Sequence, residues 1–380
     1  MPLLRAMNAD AGRPGWRSNL LLILGSVVFS FLVGELAVRL WAGQPVFAWV
    51  DFSEIIVECA STHDPYAGWK PVPSRKGVDR ARHPVTILAD GLRSNGGPRP
   101  DSEQRILAVG DSYTFGGQVG DAETWPAALE RRLGIPVLNG GVCGYGFGQT
   151  VLRALELTPR FRPDILIVGL IPTDIWRAQS SIRYSRIKPY FALENGAPML
   201  KGVPLEAPQT EPGIAGIVQR AVDDLNDHSL LLRLLPDMRN YLQMFTGLAY
   251  VEAHQEGLEV SCALLGKIKE LADRHGVAPY LLMQYKYRDI GNRLALVNGA
   301  RPNPDDRNME FLLKAIRLME CSRASGIPVI DTFPALQELH AEGGEDAVSA
   351  LYFNHMNPAG NEFVADYIAR QLGPAPGQRR

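Results

Sequence analysis

The sequence predicts an α/β fold, a three-layer α/β/α sandwich with a central parallel sheet, preceded by an N-terminal transmembrane helix. From residue 105 onward, short apolar runs alternate with amphipathic segments of helical length. Strands separated by helices of this length pair in parallel through right-handed crossovers, so helices cover both faces of the sheet. With 380 residues, 46% of them hydrophobic, the chain can form one principal domain with additions.

The composition argues against several classes of site. The formal net charge of -2 gives no general basic field, so we expect no nucleic-acid partner. The cysteines form no C-x-x-C pair and the histidines no H-E-x-x-H motif, so we predict neither a metal nor a cofactor. A single disulfide between Cys262 and Cys321 would be compatible with an exported domain.

An apolar stretch near the amino terminus predicts a membrane anchor. Residues 20–42 carry only Glu35 and Arg39 as charges, and their spacing lets them pair on one helix face. About 20 such residues are needed to cross a bilayer. Arginines outnumber acidic residues in 1–19, so we expect a cytoplasmic amino terminus and an exported, periplasmic remainder in a single-pass protein of the inner membrane. A cleaved signal peptide is the alternative.

The rest of the chain divides by composition. Residues 43–104 are rich in proline and glycine without helical periodicity, which predicts a linker and approach segment ending in one or two short strands. The main domain is predicted at 105–374, followed by a tail at 375–380. Within the domain, residues 175–260 break the alternation and are predicted to be an insertion that contains a β-hairpin turning at Asn195-Gly196.

The elements of the main domain follow from length and pattern. Short apolar runs bounded by glycine, proline or polar residues predict buried strands, at 105–109, 136–139, 164–171, 278–284 and 327–331. Longer amphipathic segments predict helices, at 123–133, 149–158, 261–275, 309–325 and 357–372.

A Gly-Asp-Ser motif directly follows the first of these strands. Ser112 therefore lies at the carboxyl end of a parallel strand, where open α/β sheets place reactive groups. The spacing alone fits an ordinary turn serine equally well. The run from Gly110 to Gly116 resembles the first sequence block of the GDSL/SGNH hydrolase family, whose nucleophile is the serine of this motif. The resemblance implies that Ser112 is a catalytic nucleophile.

Two further segments resemble blocks of this family. Asn139 to Gly146 is similar to the second block, which implies that Gly144 donates to the oxyanion together with the backbone N–H of Ser112. The segment lacks the third glycine of a dinucleotide fingerprint, which argues against nucleotide binding. In the third block the family carries an asparagine before an aspartate. Here Thr173 precedes Asp174, so a hydroxyl replaces the usual amide donor.

The segment around His355 resembles the last block of the family, whose histidine activates the serine. The resemblance implies that His355 is the general base, and a helix-capping loop is the alternative. The aspartate that usually stands two or three residues earlier and orients the ring is replaced by Tyr352 and Phe353. Candidate substitutes are Asp331 and Asp346, with Asn354 as a neutral orienting group, and a dyad without a carboxylate is a further alternative.

The resemblance extends from about His63 to the end and implies a serine esterase or O-acyltransferase that acts on ester groups, acetyl above all. The motifs at 66–71 and 89–93 are similar to those of membrane-anchored bacterial members, some of which move acetyl groups on exported or cell-surface polysaccharide. The expected partner is an ester-bearing small molecule or a polysaccharide. Two alternatives stay open: a catalytically weak domain that binds glycans or proteins in a membrane assembly, and a lipase- or thioesterase-like hydrolase.

Overall fold

The structure, a computed structural model, describes residues 16–41, 59–79, 82–183, 186–207, 257–301 and 307–373. The chain divides into two units. The first contains helix α1, Trp16–Trp41. Its segment from Asn19 to Trp41 has a mean hydropathy of 2.3 and is long and apolar enough to cross a membrane, a property that signal sequences share. Glu35 and Arg39 pair within it at 2.8 Å, as their spacing predicts.

The second unit contains the β-strands, numbered here in chain order. The strands before Ser112 are β1 (Ser61–Asp64), β2 (Gly68–Pro71), β3 (Arg75–Val78), β4 (Pro84–Ile87) and β5 (Ile106–Val109). Those that follow are β6 (Val137–Asn139), β7 (Ile165–Leu170), β8 (Ile182–Arg183), β9 (Arg186–Ile187), β10 (Tyr190–Glu194), β11 (Ala197–Lys201), β12 (Ala278–Met283) and β13 (Val329–Asp331).

A five-stranded sheet in the order β13-β12-β7-β5-β6 forms the centre of this unit. All of its strand pairs are parallel, which confirms the predicted fold class. Within this sheet β5 comes first in the sequence. The next strand, β6, lies on one side of it, and β7, β12 and β13 follow on the other side. The carboxyl ends of β5 and β7 therefore flank the point at which the direction of winding reverses, where sheets of this kind bind their ligands.

The central strands alternate their side chains between two apolar cores. On one face, the strand residues Leu107, Val109, Leu166, Val168, Leu281 and Met283 share a buried cluster with the helices of that side. On the other, Ile106, Ala108, Val137, Ile167, Leu282 and Ile330 pack with a second set of helices. This alternation on successive residues is what makes the sheet the middle of three layers.

The helices cover both faces of the sheet. In chain order they are α2 (Ser112–Phe115), α3 (Trp125–Leu133), α4 (Phe147–Phe161), α5 (Thr173–Arg177), α6 (Gly257–His275), α7 (Tyr287–Val297), α8 (Arg307–Ala324), α9 (Phe333–Ser349) and α10 (Pro358–Leu372). Each of the five predicted helices is present, with ends shifted by a few residues. Helices α7 and α9 were not predicted. In α9 the pattern is hidden by Gly343 and Gly344, and the latter has a positive φ of 69° at a kink.

The approach segment is more structured than a linker. Strands β1 and β2 form one antiparallel pair and β3 and β4 another. Trp69, Val85, Ile87 and Leu92 are buried within the unit. A disulfide joins Cys59 to Cys143, and a second joins Cys262 to Cys321. The second is the bridge considered from the sequence, whereas the first was not predicted.

The predicted hairpin of the insertion is present as β10 and β11, which pair from Tyr190–Lys201 to Glu194–Ala197. Asn195 and Gly196 at its turn have φ of 51° and 78°, the positive values that a two-residue turn of this type requires. The sequence also predicts a helical stretch at 229–235 in this insertion, and these residues lie outside the described part of the chain.

Candidate active site

The nucleophile candidate stands at the amino end of the short helix α2, immediately after β5. The preceding Asp111 caps this helix, because its carboxylate accepts a hydrogen bond from the backbone N–H of Tyr113 at 2.9 Å. Gly116 ends the helix in a left-handed conformation. Adding a Cβ atom at Gly141 would bring it within 2.3 Å of the backbone nitrogen of Phe115, so the glycine-rich loop lies directly against α2.

His355 lies in the loop between α9 and α10. The loop is closed by a bridge between Tyr352 and Met356. Asn357 caps the amino end of helix α10, because its side-chain oxygen accepts a hydrogen bond from the N–H of Gly360 at 2.9 Å. This segment is therefore a helix-capping loop, as the alternative predicts. The same loop also positions His355.

The structure brings Ser112 and His355 together across 243 positions of sequence. The Oγ atom of Ser112 is 2.9 Å from Nε2 of His355, a hydrogen-bond distance. The ring of Tyr113 packs against the imidazole with centroids 5.1 Å apart. This geometry is that of a nucleophile and its general base.

The other ring nitrogen of His355 faces Gln118. The side-chain oxygen Oε1 of Gln118 accepts a hydrogen bond from the backbone N–H of His355 at 2.9 Å and lies 3.3 Å from Nδ1 of the ring. Within the described part of the chain, no carboxylate contacts the imidazole. Sequence reasoning missed Gln118, because it lies in a loop 237 positions away and matches no motif.

The acids considered as orienting groups are placed elsewhere. Asp331 forms a two-pronged ion pair with Arg293, at 2.9 and 2.7 Å, and accepts a hydrogen bond from the hydroxyl of Tyr285 at 2.7 Å. Asp346 is exposed on α9, and Asn354 is exposed beside His355. The contact at Nδ1 of His355 is therefore made by an amide rather than by either aspartate.

The oxyanion candidates come from three elements. Gly144 has a positive φ of 76°, which turns the loop after β6 in a way that glycine adopts without strain. Thr173 begins α5 at the end of β7. Its hydroxyl oxygen is buried and has no hydrogen-bond partner. A buried hydroxyl without a partner is costly, so an incoming acceptor would relieve that cost.

The approach segment fixes the loop that carries Gly144. Trp69 donates a hydrogen bond from its indole N–H to the carbonyl of Cys143 at 3.0 Å. The hydroxyl of Tyr145 in turn donates to the carbonyl of Trp69 at 2.5 Å. The disulfide from Cys59 to Cys143 adds a covalent link at the residue just before Gly144.

A group of buried charges adjoins the site. Arg177 lies 2.6 Å from Asp174 and 3.8 Å from Asp111, and it also donates to the carbonyl of Tyr145 at 3.1 Å. Burial raises the pKa of Asp111, and burial together with the neighbouring Asp111 raises the pKa of Asp174 to about 8. Arg177 opposes both pKa shifts. Its contacts with Asp174 and Asp111 link α5 to the residue before Ser112.

The same surroundings disfavour the charged form of His355. Burial is the main cause, and the positive charges of Lys286 and Arg177 add to it, so the pKa of His355 is lowered to about 4. The imidazole is consequently neutral over most of the pH range, which is the form that can accept a proton from a serine hydroxyl.

Comparisons with known proteins lead to esterases and lipolytic proteins. No family model matches the chain. An arylesterase from Vibrio mimicus is 28% identical over 78 residues, which cover 19% of this chain and 39% of the relative. Among solved structures, a lipolytic protein of the G-D-S-L family from Desulfitobacterium hafniense has a TM-score of 0.34 and 12% identity, covering 70% of this chain and 99% of its own. An acetyl xylan esterase has a TM-score of 0.37 and 10% identity, covering 71% and 100%.

The chain is similar to GDSL/SGNH hydrolases. The comparisons return a protein of the same family that the Gly110–Gly116 block resembles. The matched segment spans less than two thirds of the Vibrio arylesterase. Relative to the GDSL/SGNH pattern, two differences are visible in the site: Thr173 stands where an asparagine is usual, and Gln118 lies where an orienting aspartate is usual.

Proposed function

We propose that this chain is a serine esterase that cleaves short acyl esters, with Ser112 as nucleophile and His355 as general base. The observation that carries the proposal is the 2.9 Å contact between Ser112 Oγ and His355 Nε2. The position of this pair at the winding reversal of the sheet supports it, because ligands of open α/β sheets bind there. The lowered pKa of His355 also supports the proposal, because a neutral imidazole can accept the serine proton.

The reaction follows from these groups. His355 Nε2 takes the hydroxyl proton as Ser112 Oγ attacks the ester carbonyl carbon, and the carbonyl oxygen becomes an oxyanion. The intermediate collapses, the bond to the alcohol oxygen breaks, and His355 returns the proton to the leaving alcohol. A water molecule, deprotonated by His355, then attacks the acyl group on Ser112, releases the carboxylic acid and regenerates the serine. The N–H groups of Ser112 and Gly144 and the hydroxyl of Thr173 are the proposed donors to the oxyanion.

The proposed location is the outer face of the cytoplasmic membrane, with α1 as anchor and an ester-bearing polysaccharide or small ester as substrate. The two disulfides support an oxidising compartment, because such bonds are rare in reducing cytoplasm. A sugar hydroxyl in place of water at the second step would convert hydrolysis into acyl transfer, with the same residues in the same roles.

The proposal is tested with the detergent-solubilised full-length protein, an aryl acetate and a fluorophosphonate probe. We expect release of the aryl alcohol and a covalent adduct at Ser112, located by peptide mass spectrometry. Added oligosaccharide distinguishes the two outcomes at the second step: free acetate indicates hydrolysis, and acetylated sugar indicates transfer. The absence of both turnover and labelling would overturn the enzymatic assignment and favour a glycan-binding role.

Thr173→Val tests the proposed hydroxyl donor. The substitution removes the hydroxyl at nearly constant volume, and we expect kcat to fall by roughly 10²-fold with little change in KM, because an oxyanion donor acts mainly in the transition state. The matched control is Thr158→Val in α4, whose hydroxyl is likewise buried without a hydrogen-bond partner. Equal kinetic effects of the two variants would remove Thr173 from the site.

The pH profile tests the environment of His355. Because its pKa is about 4 instead of 6.5, we expect kcat/KM to hold down to about pH 5 and to fall below that. Lys286→Met removes a positive charge that lowers this pKa and is expected to move the acidic limb to higher pH. Between pH 6.5 and 4 the unfolded chain binds a proton that native His355 does not, so the free energy of unfolding should also decrease as the pH falls through this range. An acidic limb near pH 6.5 in the unmodified protein would contradict the assignment of His355 as a buried base.

A further inference from the structure

We propose that Gln118 is the positioning residue of His355, taking by a neutral amide the place that a carboxylate holds in a Ser-His-Asp triad. This inference rests on the proposed function and specifies how its base is held. In this arrangement Arg93 fixes the loop that carries Gln118.

The contacts of Gln118 determine the tautomer of the imidazole. The backbone N–H of His355 can only donate, so the atom of the amide 2.9 Å away from it is the oxygen. That same oxygen lies 3.3 Å from Nδ1 and can only accept, so Nδ1 carries the proton of the neutral ring. Nε2 is then unprotonated where it faces Ser112 Oγ at 2.9 Å, which is the state a general base requires.

This arrangement avoids the defect of an ordinary aspartate-to-asparagine change in a triad, where the amide favours the wrong tautomer and turnover drops about 10⁴-fold. At Gln118 the second contact, to the backbone of His355, settles which amide atom faces the ring. One side chain therefore holds both the ring nitrogen and the main chain of the base.

The backbone at Gln118 is held in an uncommon conformation. Its φ is 69°, in the left-handed region where a residue with a side chain is strained. Such strain persists where the surroundings enforce it, and it concentrates at functional sites. The enforcing group is Arg93, whose buried guanidinium donates to the carbonyls of Phe115 at 2.8 Å and Val119 at 2.6 Å, and also to that of Gly116.

Arg93 connects this loop to the rest of the domain. Its backbone N–H donates to the carbonyl of Asn139 at 2.9 Å, and its Nε lies 3.4 Å from Asp121. The carbonyls on both sides of Gln118 are thus bound by one fixed cation, so the amide is presented to His355 by a rigid loop.

The charges around His355 give this role a measurable signature. Lys286 and Arg177 both act against protonation of the imidazole. Asp111 and Asp174 belong to the same buried cluster through Arg177, and the ring of Tyr113 packs on the imidazole. A neutral amide at Nδ1 adds no negative charge, whereas a carboxylate there would favour the imidazolium and raise the pKa of His355.

The test compares Gln118→Ala and Gln118→Glu in the full-length protein, with Gln337→Glu as control for the added charge, since Gln337 is exposed on α9. We expect Gln118→Ala to lower kcat for an aryl acetate by roughly 100-fold, within the range a general base contributes, with KM nearly unchanged. Gln118→Glu should retain turnover and move the acidic limb of kcat/KM to higher pH, and Gln337→Glu should leave the limb in place.

Selective ¹⁵N-histidine NMR reads the same role without turnover. The His355 signal, identified by its loss in His355→Gln, should report a proton on Nδ1 in the unmodified protein and a mixture of tautomers in Gln118→Ala. An unchanged tautomer in Gln118→Ala, or an unchanged pKa of His355 in Gln118→Glu, would overturn the inference. If the tautomer depends on Gln118 but no ester is cleaved and no fluorophosphonate adduct forms, the positioning role stands and the proposed esterase function fails.

Discussion

Replacing Ser112 by alanine is expected to reduce kcat for an aryl acetate by about 10⁴- to 10⁶-fold, leaving the slow turnover that binding and oxyanion donors support alone. In the proposed mechanism Ser112 Oγ forms the covalent bond to the acyl group, and the substitution also removes the donor to His355 Nε2 at 2.9 Å. His355→Ala should cost a similar factor. The double variant should be no slower than either single one, because the two groups act as one unit.

The measurement requires folded variants and a matched control. Ser349→Ala, at the end of α9, removes a hydroxyl that donates only to the carbonyl of Asp346, and we expect unmodified kinetics from it. Fluorophosphonate labelling should vanish in Ser112→Ala and persist in Ser349→Ala. Unchanged turnover in Ser112→Ala at an unchanged melting temperature would exclude Ser112 as the nucleophile.

The second large effect concerns stability. Arg93→Leu should lower the free energy of unfolding by about 3–5 kcal/mol, the range for breaking a buried ion pair. The guanidinium is fully buried beside Asp121. It donates to the carbonyls of three residues that follow Ser112, namely Phe115, Gly116 and Val119. Leucine keeps much of the volume but supplies none of these donors. Denaturant unfolding followed by circular dichroism measures the change.

The control for this variant is Arg132→Leu. Arg132 also makes ion pairs, with Glu362 at 2.9 Å and Asp366 at 3.2 Å, but its side chain is 38% exposed. Surface ion pairs of this kind contribute at most about 1 kcal/mol. If Arg93→Leu were no more destabilising than Arg132→Leu, the guanidinium would not be what holds the loop.

Much of the fold was predictable because it depends on local pattern. Each strand of the central sheet is a short apolar run, and burial on both faces is what such a run requires. Ser112 could be placed at the carboxyl end of β5 from its neighbours alone. Its distance from His355 could not, because 243 positions of chain separate the two residues and only tertiary packing brings them within 2.9 Å.

The parts that the sequence did not indicate are single long-range contacts. Gln118 and Arg93 belong to no periodic pattern or motif. Their sequence neighbours do not indicate that Gln118 faces His355 or that Arg93 is buried against the residues after Ser112. Asp331 looked suitable because it ends a strand of the sheet, but the nearby guanidinium of Arg293 engages both of its oxygens. The residue type made Asp331 a reasonable candidate to orient His355. Its actual partner, Arg293, lies 38 positions away and is set by tertiary packing.

The disulfide between Cys59 and Cys143 encloses a separation of 84 residues, and Ser112 lies inside that interval. Ser112 is therefore part of a closed covalent ring that includes β1 to β6. Residues 96–99 form an exposed loop of that ring, which would be a natural point of attack for a protease. A single cut there would open the ring without releasing either fragment, so the fragment that carries Ser112 and His355 would stay attached to the amino-terminal fragment that carries α1 until the bridge itself was reduced.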